Sequence, residues 1–486
     1  MRISVIGCGY LGAVHAASMA KLGHDVIGID LDERKIAALG AGRPPFFEPG
    51  LSATLKAART RGRLSFSTDI AGAYGSDVHF VAVGTPQQAA SYAADLSYVD
   101  AAFAALVPHL RSGDLVVGKS TVPLGTASRL AEFLRRSDTG ATLAWNPEFL
   151  REGFAVKDTV SPDRLVYGVE PGEQGQRAVA ILDEIYEAAL RRRTPRLVVD
   201  FATAELVKVA ANAFLATKIS FINAMAEVAE ASGADVTLLA DAIGHDRRIG
   251  RKFLNSGLGF GGGCLPKDIR AFRARAEELG VGHSVAFLGE VDAINLRRRD
   301  RMVELVVEVL GGSVVGKRIG ILGLAFKPKS DDVRDAPALD VASRLHAAGA
   351  IVVATDPEAL ETSRRVLPEL SYVATPEEAV ADVDVVLLLT EWKEYRQLRP
   401  EELSSAKGRI ILDGRNCLNQ RVWQAAGWTI RSLGRPELPV PSYSEAGTPM
   451  GVAEPAGTEP IGVEPSVAGS MERELVGARE PARDGL

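Results

Sequence analysis

Apolar and polar positions divide the chain into three patterned blocks and an unpatterned end. Residues 1–200 set short β-branched runs between helical patterns, the signature of a parallel sheet with crossover helices. The predicted strands are Ile3–Ile6, Val26–Ile29, Val78–Val83, Leu115–Val117 and Leu143–Trp145. From residue 201 to about residue 300 such runs stop. The stretch FATAELVKVAANAFLATKISFINAMAEVAEASG repeats apolar side chains at helical spacing and ends at Gly233, a residue suited to a C-cap. A second helical pattern, VDAINLRRRDRMVELVVEVLGG, leads into residues 314–434, where strand and helix alternate again.

The two alternating blocks match each other. RISVIGCGYLG pairs with RIGILGLAFKP, VIGID with VVATD, DVHFVAVGTP with DVVLLLTEW, and LVVGKST with RIILDGR. Matched strand ends in one order predict an α/β protein of two Rossmann-like, doubly wound parallel-sheet domains. A central helical domain with a long helix joins them. The expected boundaries are 1–200, 201–300 and 301–435. Residues 436–486 are rich in Pro, Gly, Glu and Ser and lack periodicity, which predicts a disordered acidic tail that cannot offset its ordering entropy.

Composition narrows the class. A chain of 486 residues exceeds one ordinary core. No apolar run reads as long enough to span a bilayer, and the N-terminus lacks the basic start of a signal peptide, so a cytoplasmic protein without membrane contact is expected. Nine acids and three bases lie from Glu437 onward; the preceding residues carry 53 of each sign, so the net charge of −6 resides at the end. A neutral body argues against nucleic-acid binding. Cys8, Cys264 and Cys417 are too scattered for a disulfide framework, and no Cys/His cluster has zinc spacing, so no metal is expected.

Three constellations carry candidate chemistry. Gly7-Cys8-Gly9-Tyr10-Leu11-Gly12 follows a strand and opens a helix, and Asp30 ends the next strand. Glycines there permit a tight turn, close approach of a pyrophosphate and helix–strand packing. The carboxylate suits ribose hydroxyls and favours NAD over NADP. In FLNSGLGFGGGCLPKD, five glycines precede Cys264 and let the backbone approach a ligand; the helix start after Pro266 would favour a thiolate. The alternative is a flexible loop with an inert cysteine. Lys208 and Asn212 lie four residues apart on one face of the long helix, where they would stabilise an oxyanion, or else snorkel and bond to backbone. Lys119-Ser120-Thr121-Val122-Pro123 and Asn146-Pro147-Glu148-Phe149-Leu150-Arg151-Glu152 each follow a strand, where parallel sheets bind ligands. Glu148 and Glu152 there would handle protons, or serve as ordinary helix-start acids.

Together GCGYLG, VGTP, KSTVP, NPEFLREG, the Lys208/Asn212 helix, FLNSGLGFGGGCLPKD, GLAFKPKSDDVRDAP and DGRN resemble the UDP-glucose/GDP-mannose dehydrogenase family over about residues 1–435. The resemblance implies oxidation of a nucleotide-linked hexose alcohol to the carboxylate, using two NAD and one water. It implies Cys264 as covalent nucleophile and Lys208 and Asn212 as oxyanion stabilisers. Asp268 would assist the cysteine and water, and Thr121 and Glu148 would position water or take the substrate proton. NAD would be held by the glycine loop with Asp30, Lys35, Thr85, Thr121, Glu152 and Arg334. The substrate would meet Phe149, Leu150, Arg151 and Glu152, then Phe253, Leu254, Asn255, Ser256 and Gly257, with Gly261, Lys327 and Arg415. Arg248 matches a family arginine that reaches across a homodimer. RIGRKFLNSGLGFGG looks closer to members that oxidise UDP-glucose to UDP-glucuronate than to those acting on GDP-mannose. Other nucleotide hexoses, including UDP-N-acetylhexosamines, stay open. A two-electron hydroxy-acid dehydrogenase needs no cysteine, and a non-enzymatic NAD-binding scaffold would have lost Cys264 or Lys208.

Overall fold

The computed structural model describes residues 1–88 and 91–437. The expected acidic tail, apart from Pro436 and Glu437, lies outside the described residues.

Residues 2–199 build an eight-stranded sheet: β1 (Arg2–Ile6), β2 (Asp25–Ile29), β3 (Leu64–Ser67), β4 (Val78–Val81), β5 (Leu115–Gly118), β6 (Thr142–Trp145), β7 (Leu165–Gly168) and β8 (Arg196–Val199). Their spatial order is β3-β2-β1-β4-β5-β6-β7-β8. All neighbours run parallel except β6 and β7, which meet antiparallel at Trp145 and Gly168. Residues 318–432 build a second, six-stranded sheet of β9 (Arg318–Leu322), β10 (Ile351–Thr355), β11 (Ser371–Tyr372), β12 (Val385–Leu388), β13 (Ile410–Asp413) and β14 (Thr429–Ser432). Its order, β11-β10-β9-β12-β13-β14, repeats that of the first six strands of the larger sheet. Apolar clusters cover both faces of each sheet, which is why the central strands read as continuous apolar runs rather than alternating ones.

The likeness extends to single residues. After β1, Gly7 has φ +88°, and a Cβ there would lie 2.8 Å from the Val83 side chain. After β9, Gly323 has φ +98°, and its Cβ would lie 2.5 Å from Thr390. Each glycine thus turns the chain against the segment leaving the neighbouring strand. The two sheets diverge at the acid that follows. The Asp356 carboxylate accepts the Leu324, Ala325, Glu358 and Ala359 N–H groups and the Trp392 indole, and is buried. Its partners are all protein groups, whereas Asp30 keeps one face toward solvent.

Five helices position the site: α1 (Tyr10–Leu22), α2 (Thr126–Arg136), α3 (Phe201–Ser232), α4 (Leu265–Glu278) and α5 (Phe287–Val309). Asp200 caps α3 by accepting the Thr203 N–H, and Gly233 ends it in the left-handed region, as its place in the sequence predicts. An 18-residue window of α3 has a mean hydropathy of 1.3, so by length and composition this helix is apolar enough to cross a membrane, contrary to the sequence expectation. It nevertheless packs along α4 and α5 and buries Glu205, Lys208, Asn212 and Asn223, the pattern of a core helix.

Gly323→Ala should destabilise the protein by about 1–3 kcal/mol, because the new methyl meets Thr390 and the backbone leaves its comfortable region. Urea unfolding followed by circular dichroism checks this; an unchanged midpoint would show that β12 yields freely.

Candidate active site

The glycine loop after β1 presents open space. Gly9 is the N-cap of α1, and a Cβ built on it meets no atom within 4 Å. Gly12 has no such room: its Cβ would lie 1.7 Å from the Gly7 carbonyl oxygen, so this position is glycine for helix–loop packing. Asp30 lies beside the loop and accepts the Cys8 N–H at 2.7 Å. The Lys35 ammonium sits 2.9 Å from both carboxylate oxygens and orients them. Free N–H groups at the head of α1 and an oriented carboxylate one strand away fit a dinucleotide's pyrophosphate and ribose. Leu11 packs on the core, and Tyr10 stacks on Phe46 and donates to Glu48, so neither side chain is free for a ligand. Across the loop, Thr85 donates to the Thr121 carbonyl at 2.8 Å.

Cys264 is the N-cap residue of α4. It is reached by solvent, yet protein surrounds its sulfur on most sides. One turn along α4, Asp268 accepts the Asn212 amide at 2.7 Å. One turn before Asn212 on α3, the buried Lys208 ammonium pairs with Glu148 at 2.8 Å. Lys208 and Asn212 therefore do not snorkel; they turn inward, toward the groups expected from the sequence. Burial alone would lower the Lys208 ammonium, but Glu148 and Asp268 overcome it and hold it above its usual range.

The electrostatics of the thiol differ from expectation. Burial, then the carboxylates of Glu148 and Asp268, push Cys264 up to about 12, against the lowering pull of Lys208. The helix start does not prevail, because a desolvated sulfur between carboxylates outweighs a half-charge dipole. The resting sulfur is thus a thiol at neutral pH.

The glycine run is a packing seam rather than a flexible approach to a ligand. A Cβ on Gly257 would lie 2.6 Å from the Gly414 carbonyl, on Gly261 2.3 Å from the Asp335 carbonyl, and on Gly262 2.8 Å from the Phe326 ring. On Gly263 it would strike the Arg334 guanidinium at 2.4 Å. The run thereby joins the Cys264 loop to the segments that follow β9 and β13. Those segments bring Lys327 and Arg334 toward the cleft. Ser330 donates to Glu152 at 3.0 Å, and Arg334 stands 3.7 Å from its other oxygen. Burial and Asp332 push Glu152 up to about 7, while burial lowers Lys327.

Several expected residues serve other partners here. Arg415 donates to the carbonyls of Leu389 and Gly259 and lies 3.4 Å from Glu391, clamping the seam rather than standing as free surface charge. Arg151 forms a two-pronged pair with Asp158 on the surface. Phe149 lies under the Arg164 guanidinium, 3.8 Å from its ring centre. Leu150 packs partly buried against the first core, its N–H donating to Glu148, and Leu254 is buried beneath α3, so both side chains face protein. Phe253 is exposed at φ +65°, Asn255 accepts from Arg251, and Ser256 accepts from Asn416. Arg248 is 89% exposed and paired with Asp246, away from this cleft.

Sequence reasoning missed two groups. Lys267, between Asp268 at 2.7 Å and Thr85 at 3.4 Å, ties α4 to the loop at Thr85; its place between Pro266 and Asp268 was the only signal. The buried Glu48 carboxylate takes the Gly153 and Ala155 N–H groups at 2.6 and 2.7 Å and the Tyr10 hydroxyl, joining the glycine loop to the segment bearing Glu152. A different trio, Ser4, His79 and Asp114, is linked like a hydrolase triad but is buried within the sheet, out of reach of any substrate. Among the described residues no cluster of three or more His, Cys, Asp or Glu is arranged to hold a metal.

Three models of one family match in succession: the NAD binding domain of the UDP-glucose/GDP-mannose dehydrogenase family at residues 1–190, its central domain at 202–297 and its UDP binding domain at 320–420. The chain belongs to the UDP-glucose/GDP-mannose dehydrogenase family. Members include the UDP-glucose 6-dehydrogenase of Rhizobium meliloti (strain 1021), 41% identical over 90% of this chain and 100% of that protein. A UDP-glucose 6-dehydrogenase of Bacillus subtilis (strain 168) is 40% identical over 90% of this chain and 94% of its own length. The solved UDP-glucose dehydrogenase of the archaeon Pyrobaculum islandicum superposes with a TM-score of 0.79 at 40% identity, over 86% of this chain and 94% of that one. The chain is an NAD-dependent oxidoreductase of this family, and its substrate is a nucleotide sugar.

Glu148→Gln should lower the Cys264 pKa by removing a nearby negative charge, and so speed alkylation at pH 8 by on the order of tenfold. Iodoacetamide labelling followed by mass spectrometry reads this; a slower reaction would mean that Glu148 acts on the thiol chiefly through Lys208.

Proposed function

We propose that this chain oxidises UDP-glucose to UDP-glucuronate through a covalent adduct on Cys264. The observation that carries this reading is the convergence of Lys208, Asn212, Asp268 and Glu148 on a reachable thiol at the head of α4. A hydroxy-acid dehydrogenase has no use for that thiol, and a binding scaffold none for the buried lysine.

Bound NAD accepts the hydride in each oxidation. Residues 1–200 form the domain that holds it, with Gly9 giving backbone access, Asp30 the ribose and Lys35 the orientation of Asp30. Thr85, Thr121, Glu152 and Arg334 complete the pocket. Residues 301–435 form the domain for the nucleotide of the sugar. Lys327 is the cation for its phosphates, and Arg415 holds the loop against which they lie.

After the first oxidation the Cys264 sulfur adds to the aldehyde carbon. The thiol must lose its proton as it does so, and its raised pKa makes a nearby base necessary. Asp268, held by Asn212, takes that role, while Lys208 and Asn212 stabilise the oxyanion. The second oxidation leaves a thioester. Water positioned by Glu148 and Thr121 hydrolyses it, and the covalent tether keeps the aldehyde from escaping between steps.

The reading extends to assembly. Phe214, Phe221 and Val228 stand exposed at seven-residue intervals along α3, an apolar stripe that supports a homodimer. In that dimer the exposed Arg248 reaches the partner's substrate. A cytoplasmic location fits a nucleotide-sugar substrate and unpaired cysteines.

An NADH assay across UDP-glucose, GDP-mannose, UDP-galactose and UDP-N-acetylmannosamine should favour UDP-glucose and yield two NADH per sugar. Cys264→Ser should abolish net NADH production while keeping NAD affinity; wild-type turnover in that variant removes the covalent route. Asp30→Ala should weaken NAD binding roughly tenfold or more through lost charged hydrogen bonds. Calorimetric titration measures it, and unchanged affinity would place the ribose elsewhere.

A further inference from the structure

A cavity beside the Cys264 site shares Glu148, Phe149 and Leu150 with the segment expected to meet the substrate, and its other polar groups lie outside that site. Its deep wall is Lys119 at the end of β5, Asn146 and Tyr186, with His15 from α1; its rim is Asp163 and Arg164 at the surface. The Lys119 ammonium donates to the Asn146 side-chain oxygen at 2.9 Å and lies 3.4 Å from the Tyr186 hydroxyl, which donates to the same oxygen at 2.8 Å. His15 is buried edge-on against Phe80, and among the described residues no group bonds either of its ring nitrogens. Pro147, Phe149, Leu150, Pro162 and Leu165 complete the wall, and the ammonium, amide, phenol and imidazole set among them give water its hydrogen-bonding partners.

We propose that this cavity carries a water chain from Glu148 to the surface at Asp163 and Arg164, positioned by Lys119, through which protons leave the Cys264 site. The inference rests on the function proposed above. Each hydride step releases a proton. In hydrolysis the carbon–sulfur bond breaks and a carbon–oxygen bond forms. One water proton returns to the sulfur, and the carboxylic acid sheds the other. The Cys264 cleft is crowded with Lys208, Asp268 and Lys327, and the ligands would fill its mouth. Glu148 touches both cleft and cavity and hands protons to the cavity side.

The charges facing Lys119 support this role. Burial brings its ammonium down to about 7; Glu148 opposes that shift and Lys208 adds to it. Burial keeps His15 neutral and the Tyr186 phenol protonated, while Asp158 is held by Arg151 and Asp163 and Arg164 lie at the rim. Lys119 is thus the group of the wall able to gain and lose a proton near neutral pH.

The test uses the full-length protein. Wild type must first give two NADH per UDP-glucose; failure there overturns the function and this proposal with it. Given that result, Lys119→Met should lower kcat about tenfold or more while leaving both KM values within about twofold. Methylamine should restore turnover to Lys119→Ala. Retention of wild-type kcat in Lys119→Met, a rise in KM that matches the fall in kcat, or rescue that fails in a folded Lys119→Ala overturns the proposal. Should neither variant fold, a crystal structure of the wild type decides: ordered water joining Glu148 to Asp163 supports the route, and a dry cavity refutes it.

Discussion

The position of Cys264 depends on a seam of missing side chains. Between Gly257 and Gly263 the backbone lies so close to Gly414, Asp335, Phe326 and Arg334 that a single methyl would displace it. Close packing of this kind has few alternatives, since interiors are as dense as organic crystals. The first turn of α4, and with it Cys264, is therefore set by the second sheet, while Asn212 holds it from α3 through Asp268. Two sheets that fold around separate cores thus agree on the place of one sulfur.

Charge at that place is organised by burial. Lys208 and Glu148 form a pair whose desolvation would be costly in isolation. Asp268, Asn212 and Lys267 extend it into a chain from α3 to the cofactor loop at Thr85. The chain explains why polar residues appear on the otherwise apolar stripe of α3. Its carboxylates also add to burial, the larger cause, in keeping the proton on the sulfur. Reactivity is then conditional, waiting on a base and on the ligands that reshape the field.

Much of this was legible in the residues. The strands β1, β2, β4, β5 and β6 are apolar runs with turn residues after them, and each stands where the pattern predicts. The strands β3, β7 and β8 were not read: LSFS is half polar, RLVV lies mostly exposed at a sheet edge, and LVYG follows the one antiparallel crossing of the sheet, which no pattern announces. The Lys208 and Asn212 spacing gave their shared face, but not that both point inward, which needs Glu148 and Asp268 from distant segments. The glycines announced close approach without naming its object. The sign of the thiol shift was illegible, because it is a sum over charges that only the tertiary structure gathers. Lys119 sat in a motif read for its threonine alone.

A sulfur that holds its proton at rest is a poor target for peroxide, since oxidation to sulfenic acid begins from the thiolate. The idle enzyme is thereby shielded from the damage that an always-activated cysteine would suffer in a reachable cleft. Durability and catalytic readiness are kept apart by the same carboxylates.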